Sequence, residues 1–334
     1  MRQYFEYHPV VGYRYIPHLR TRVPHEGGGY LIQVNETGFR SNRPFVKERT
    51  PGCPRVLLFG DSFTAGDSVA NHLRFSDLLE ARVPGLEVYN FGLPSSGTDQ
   101  QYLVWREFAQ GIEHDAVVIA VYVENIRRVA AAYRLLQDEH GQERIYAKPY
   151  FTLDFGQLHL HHVPPRAEPL EEHELPAEER HMVDTSGRFL FLRKAVTALG
   201  AKELMQRLTR YQPVPAYDAP NTPDWQLMRA ILSEWILATG KPVILMPIPL
   251  SQHMDGSSDA EPYRTRFREL AQYLGCTLHD LLPDLLKYGR EERRGFRWEK
   301  DVHFTPRGNE VVADSLAPVI QDLLARHSRE GTHG

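Results

Sequence analysis

The sequence predicts an α/β fold, a parallel sheet with helices on both faces. Three observations carry this. The runs Val56-Leu57-Leu58-Phe59, Ala116-Val117-Val118-Ile119-Ala120-Val121-Tyr122-Val123 and Val243-Ile244-Leu245-Met246-Pro247-Ile248-Pro249 are nearly continuous in apolar residues. Strands buried on both faces read that way. Between such runs lie segments of helical period, about 10–15 residues long, and strands alternating with helices imply parallel pairing. Pro84-Gly85 and other turn pairs punctuate the alternation.

In chain order, residues 1–54 are rich in Tyr, Pro, Gly and Arg and show no helical period. Tyr30-Leu31-Ile32-Gln33-Val34 alternates like a strand, Asn35-Glu36-Thr37-Gly38 supplies turn residues, and Phe39-Arg40 resumes the run, so a hairpin is expected. This stretch is expected to be an extension packed on the core. The core, 55–330, opens with the strand at Arg55–Phe59. A helix follows through Leu73, Phe75, Leu78, Leu79 and Val83, then a strand over 86–91 and a helix from Thr98 to Phe108 with Thr98 as N-cap. The strand at 116–123 comes next. From about 130 to 220 the pattern loosens into strand-like pieces and short turns rich in charge and proline, an insertion or lid over the sheet. The core returns with a helix through Trp225, Met228, Ile231, Leu232, Trp235 and Ile236. The strand at 243–249, a helix near 261–274, a short strand at 276–279 and a last helix from about Pro306 to Leu323 complete it.

Composition narrows the function. The 334 residues are 42% hydrophobic and 25% charged, ordinary values for a soluble globular protein. A net charge of −4 supplies no global attraction for nucleic acid or an anionic membrane. The basic run Arg290–Arg297 is broken by Glu291 and Glu292 and is expected to be a solvated face. The two cysteines, Cys53 and Cys276, have no neighbour at metal-binding spacing, which excludes a disulfide framework and a cysteine-rich zinc site. No window approaches the run of about 20 apolar residues that a membrane helix needs. The start, Met1–Glu6, lacks the apolar stretch of a secretory signal, so a cytoplasmic location is expected.

In open parallel sheets, reactive groups collect where loops leave the carboxyl ends of strands. Gly60-Asp61-Ser62 follows the first core strand; Ser62 is either a nucleophile at a helix N-terminus or that helix's cap. The loop Asn90-Phe91-Gly92-Leu93-Pro94-Ser95-Ser96-Gly97-Thr98 exposes backbone N–H groups that suit an oxyanion, or it is a plain turn. Glu124-Asn125 ends the central strand, and the Asn125 amide could donate to the same oxyanion or simply terminate the strand. Asp301-Val302-His303 precedes the last helix. It reads as a general base with an orienting carboxylate, a surface pair or half of a metal site. Taken together, these positions have the order and placement that a serine triad with an oxyanion hole requires.

This set resembles the SGNH, or GDSL, hydrolase family over 55–128 and 241–325. The resemblance implies a flavodoxin-like three-layer α/β/α sandwich. It makes Ser62 the nucleophile and one oxyanion donor, Asn125 the side-chain donor, His303 the base and Asp301 its partner. Three departures stand out. Phe63 replaces the usual leucine, and Ser95 falls where the family has glycine, with Gly97 close by, so either residue could donate. Asp301-x-His303 is shorter than the usual Asp-x-x-His and resembles the alginate O-acetyltransferase-like branch; Ile126 also stands where Asp is frequent.

The expected activity is therefore hydrolysis of a small-molecule or carbohydrate ester through an acyl-enzyme, with no metal or organic cofactor. The alternative is O-acyl- or carbamoyl-transfer by the same groups. A scaffold on a retired hydrolase fold and a phosphate-binding flavodoxin-like protein are rivals; the intact set argues against the first, and the lack of a glycine-rich phosphate fingerprint against the second. Asp61, Arg127, Arg128 and Tyr133 are candidates for substrate contact. Tyr13, Tyr15, Arg40 and Arg43 are expected to fasten the extension to the core, with a place at the pocket rim as the alternative.

Overall fold

The computed structural model describes residues 4–138, 140, 142–184 and 212–330. Its first part is two antiparallel ribbons, β1 (Phe5–His8) with β2 (Gly12–Tyr15) and β3 (Arg20–Val23) with β4 (Tyr30–Gln33). The turn expected at 35–38 is present, but only the single bridge Val34–Arg40 closes it. The ladder partner of β4 is β3, whose Arg-Thr-Arg-Val alternation is hidden by charge on its outer face.

The core follows in the predicted alternation: β5 (Arg55–Phe59), α1 (Ser62–Ala65), α2 (Phe75–Arg82), β6 (Glu87–Asn90), α3 (Thr98–Val104), β7 (Ala116–Tyr122) and α4 (Ile126–Val129). Every residue of β5 and β7 is buried, which explains their unbroken apolar runs. The α-helix α3 stops at Val104 and widens into a π turn over Trp105–Ala109. Its N-cap is Gly97; Thr98, expected as the cap, is already the first helical residue. The insertion contains β8 (Tyr133–Gln137), β9 (Glu143–Ala147), β10 (Tyr150–Asp154), β11 (Gln157–His161) and β12 (Val183–Asp184), forming a sheet β12-β8-β9 and a hairpin β10-β11. Residues 185–211 of the expected insertion lie outside the described residues.

The chain returns through α5 (Pro223–Thr239), β13 (Val243–Ile248), α6 (Ser251–Met254), α7 (Glu261–Leu274), β14 (Thr277–Leu278), α8 (Leu281–Leu286), α9 (Arg290–Arg294) and α10 (Pro306–Glu330). The five-stranded sheet has the order β14-β13-β7-β5-β6, and all its pairs are parallel. Pro247 is accommodated in β13 because β14 pairs only with Ile244 and Leu245, leaving the second half of the strand single-sided. Helices flank the sheet in two groups: α2 packs with α10, and α5 packs with α3, α4 and α7.

The topology fixes where ligands can meet the sheet. From β5 the chain steps to β6 on one side and then crosses to β7 on the other. The carboxyl ends of β5 and β7 therefore border a crevice from which the connections diverge, the place where open sheets bind ligands. Among the described residues, no helix is long and apolar enough to cross a membrane.

Candidate active site

The turn after β5 is built for close approach. A Cβ on Gly60 would sit 2.1 Å from Thr64 Oγ1 and 2.8 Å from the carbonyl oxygen of Ala120, so only glycine fits. Asp61 is fully buried and caps α1, accepting from the N–H of Phe63 at 3.1 Å. The cap function that competed for Ser62 thus belongs to its neighbour. Ser62 is the first residue of α1 and is 7% exposed.

Its hydroxyl meets the loop before α10. Ser62 Oγ lies 2.7 Å from His303 Nε2, and His303 Nδ1 lies 2.5 Å from Asp301 Oδ1. A carboxylate can only accept, so Nδ1 carries the proton and Nε2 presents its lone pair to the serine hydroxyl. Asp301 Oδ1 also accepts from the backbone N–H of His303 at 3.1 Å, and Ser68 Oγ donates to Oδ2 at 2.7 Å. Burial alone would raise the Asp301 carboxyl; the bond and charge of His303 and the hydroxyl of Ser68 outweigh it and hold it well below the usual carboxylate range. For His303 burial works downward, but the bond to Asp301 and the charges of Asp67, Asp301 and Asp61 leave its pKa raised.

The base loop is held from beneath. An antiparallel bridge between Arg297 and Phe304 closes the segment 298–303. Phe63 packs against the His303 ring at 5.0 Å and edge-on to Phe304 at 5.1 Å. The residue in leucine's place thus supports the imidazole. Arg297 lies over both Phe63 and Phe304 and donates to the carbonyl of Pro249 at 2.7 Å. This corrects the expectation of a solvated basic face: Glu291, Glu292 and Arg294 are exposed, but Arg293 donates to the carbonyls of Met254 and Tyr288 and the run turns inward at Arg297.

Two further strand ends, of β7 and β6, lie at the same edge of the sheet as the end of β5. Asn125 closes a 3₁₀ turn after β7 and is fully buried, yet neither its Oδ1 nor its Nδ2 has a partner among the described residues. An unpaired buried amide costs about 1–3 kcal/mol, so such a group calls for a functional explanation. In the loop after β6, Ser95 has φ 64°, a left-handed conformation that favours glycine. The Gly97 N–H is directed at Gln100 Oε1, 3.4 Å away, whereas no hydrogen bond among the described residues takes up the N–H of Ser95. The loop is fastened by Leu93 N–H to the Gly60 carbonyl at 3.0 Å and by Asn90 Nδ2 to the Thr64 carbonyl at 2.7 Å.

The remaining predicted contacts resolve differently. Arg128 donates to Asp61 Oδ2 at 3.2 Å and to the Ser96 carbonyl at 3.1 Å, tying the serine turn to the 95–97 loop. Asp61 and Arg128 therefore act as supports. Arg127 pairs with Glu124 and donates to the Pro213 carbonyl. Tyr133 lies buried in β8 with its hydroxyl on Glu179, inside the small core of the insertion. Among the described residues, no hydrogen bond links Tyr133 to the Ser62–His303 chain. Sequence reasoning missed Ser68, half-buried Asp67 and His25, whose Nε2 lies 3.3 Å from Asp301 Oδ2. The only signal for Ser68 was its place six residues beyond the nucleophile, and His25 was one of 16 histidines.

No family model matches the sequence, and no curated protein matches it. Among solved structures the chain is similar to the lipase/acylhydrolase from Enterococcus faecalis, at 15% identity over 82% of this chain and 96% of that one, with a TM-score of 0.43. It is also similar to a member of the lipolytic protein G-D-S-L family from Veillonella parvula (12%, 80% and 99%, 0.43) and to the acetyl xylan esterase AlAXEase (16%, 80% and 99%, 0.44). At such scores the likeness is silent on chemistry, which the geometry of the site itself has to carry.

Proposed function

We propose that this chain is a serine esterase of the SGNH, or GDSL, type, which hydrolyses a small-molecule or carbohydrate ester through an acyl-enzyme on Ser62. The observation that carries the reading is the continuous chain Ser62 Oγ–His303 Nε2, His303 Nδ1–Asp301 Oδ1, at 2.7 and 2.5 Å, with the unpaired buried amide of Asn125 just past the end of β7, the strand that pairs with β5. Nucleophile and base are within proton-transfer distance, and the base is oriented by a carboxylate held ionised.

In this mechanism Ser62 Oγ attacks the ester carbonyl carbon while His303 Nε2 takes the hydroxyl proton. The carbonyl electrons move onto oxygen, where Asn125 Nδ2 and the N–H groups of Ser62 and Ser95 stabilise the charge. Collapse expels the alcohol, which receives the proton from His303. Water, deprotonated by the same imidazole, then attacks the acyl-enzyme and releases the acid, restoring Ser62.

The test is labelling by an active-site fluorophosphonate together with hydrolysis of a short-chain aryl ester. Wild type should react in both assays, and Ser62→Ala should be unlabelled and inactive. His303→Ala should lose orders of magnitude in rate, and Asn125→Ala roughly 10²–10³-fold in kcat. A wild type that takes no label and cleaves no ester overturns the proposal. Adding acceptor alcohols separates hydrolase from transferase: trapping of the acyl group as a new ester, faster than release of acid, would assign transfer.

A further inference from the structure

We infer that His25, which lies in the N-terminal extension, is a positioning residue for Asp301, so that the Ser62–His303–Asp301 chain is complete only with the extension in place. The inference rests on the serine-esterase reading for its kinetic consequence, though its geometry stands independently.

The tautomer of His25 follows from the backbone. Gly27 N–H donates to His25 Nδ1 at 3.2 Å, so Nδ1 holds the lone pair and the proton of the neutral ring lies on Nε2. That proton points at Asp301 Oδ2, 3.3 Å away, the oxygen to which Ser68 also donates. His303 takes the other oxygen with its ring and its backbone. Asp301 is thus fully subscribed by four donors, two from neighbouring His303 and one each from the distant Ser68 and His25.

The ring of His25 has little freedom. It stands edge-on to Trp298 at 4.8 Å and to Tyr30 at 6.0 Å. Beside it, Lys300 N–H donates to Glu26 Oε1 at 2.9 Å, and a Cβ on Gly27 would lie 2.3 Å from Trp298 Cη2. The loop that bears His25 is therefore moulded onto the loop that bears Asp301 and His303.

The electrical effect has a definite sign. Asp61, Asp67 and Asp301 all act to raise the His303 pKa, and Tyr30 is the other titratable group facing Asp301 from the extension. The His25 N–H on Oδ2 disperses the Asp301 charge. Without it, more charge stays on the carboxylate, and His303 binds its proton more tightly. Rates limited by neutral His303 should then rise at higher pH than in wild type.

The test compares His25→Phe, which keeps an aromatic ring against Trp298 but has no donor, with His25→Gln, which restores an N–H. His25→Ala serves as the full deletion. Two measurements are made across pH: the fluorophosphonate labelling rate of Ser62, and the downfield proton resonance of His303 Nδ1, followed by NMR as the ring titrates. In His25→Phe and His25→Ala, labelling should slow about tenfold, as loss of an outer partner commonly does. The midpoint of the labelling profile should also move up by about half a unit. His25→Gln should stay within about twofold of wild type. A His25→Phe variant with wild-type rate and midpoint overturns the inference, as does a His25→Gln variant as impaired as His25→Ala. If wild type takes no label, the esterase proposal fails by itself, and the His303 resonance still decides the role of His25: an unshifted titration in His25→Phe rejects it, and an upward shift supports it.

Discussion

The two additions to the sheet core are attached in different ways. The extension is sewn into the loops that carry the site. Buried Arg40, 1% exposed, donates to Asn71 Oδ1, the Gly66 carbonyl and the Val69 carbonyl, clasping the segment that leads from Ser62 to Ser68 and beyond. Tyr13 donates to the Pro94 carbonyl at 2.5 Å, next to Ser95, and His25 reaches Asp301. Described residues of the insertion, by contrast, bond largely among themselves, as in Tyr133–Glu179 and Arg134–Asp184. They anchor to the core through the buried pair Lys148–Asp99 at the start of α3. None of their hydrogen bonds, among the described residues, reaches Ser62, Asp301 or His303. One addition sets the geometry of the site; the other stands beside it.

Substitutions in the two regions should therefore separate stability from rate. Lys148→Met should have the largest effect on stability, roughly 3–5 kcal/mol in a urea melt, because it strands the Asp99 carboxylate in a buried position. The esterase rate of the molecules still folded should stay within about threefold. Adding Asp99→Asn should recover much of the loss. A Lys148→Met enzyme that is as stable as wild type but slow would reverse the contrast.

Arg40→Met should cost about 3 kcal/mol by leaving three acceptors unpaired. It should also slow ester cleavage by about tenfold in the folded fraction, since the loop it clasps carries Ser68 onto Asp301. Comparing melting curves with turnover at low temperature checks both. Next comes pH. Because the His303 pKa is raised above the ordinary 6.5, the neutral base is lost as pH falls through a value above 6.5, and the acid limb of kcat/KM should have its midpoint there. A limb centred below 6.5 would mean that the carboxylates do not act on His303 as described. The smallest effect is expected for Ser95→Gly, a gain of about 1 kcal/mol from relieving the left-handed strain, with the rate within about twofold of wild type. A large loss of rate would show that the serine side chain itself takes part.

The sheet was legible because burial on both faces leaves only apolar residues, so β5, β7 and β13 announce themselves without any partner information. The meeting of Ser62, His303 and Asp301 was legible for a related reason: each stands where a predicted strand or helix begins or ends. Ser68 and His25 were not, because they meet Asp301 across 233 and 276 residues of chain, and no local pattern records such a meeting. Arg297 was misread since its surroundings in sequence are charged, while its surroundings in space are Phe63 and Phe304. The arrangement of β8, β9 and β12, with a parallel pair closing onto an antiparallel one, joins pieces too short and too polar to betray their pairing.

The two hydrogen bonds that Asp301 Oδ1 receives from His303, one from its main chain and one from its ring, form a closed circuit only three residues long. The pairing of ring and carboxylate is therefore set within Asp301-Val302-His303 itself, while Ser68 and His25, on the other carboxylate oxygen, hold the tripeptide in place opposite the serine. Such a unit is portable. Grafted ahead of a helix in an unrelated scaffold, with a serine turn placed opposite, it would arrive with ring and carboxylate already paired, leaving the designer the donors to Oδ2 and the distance to the nucleophile to supply.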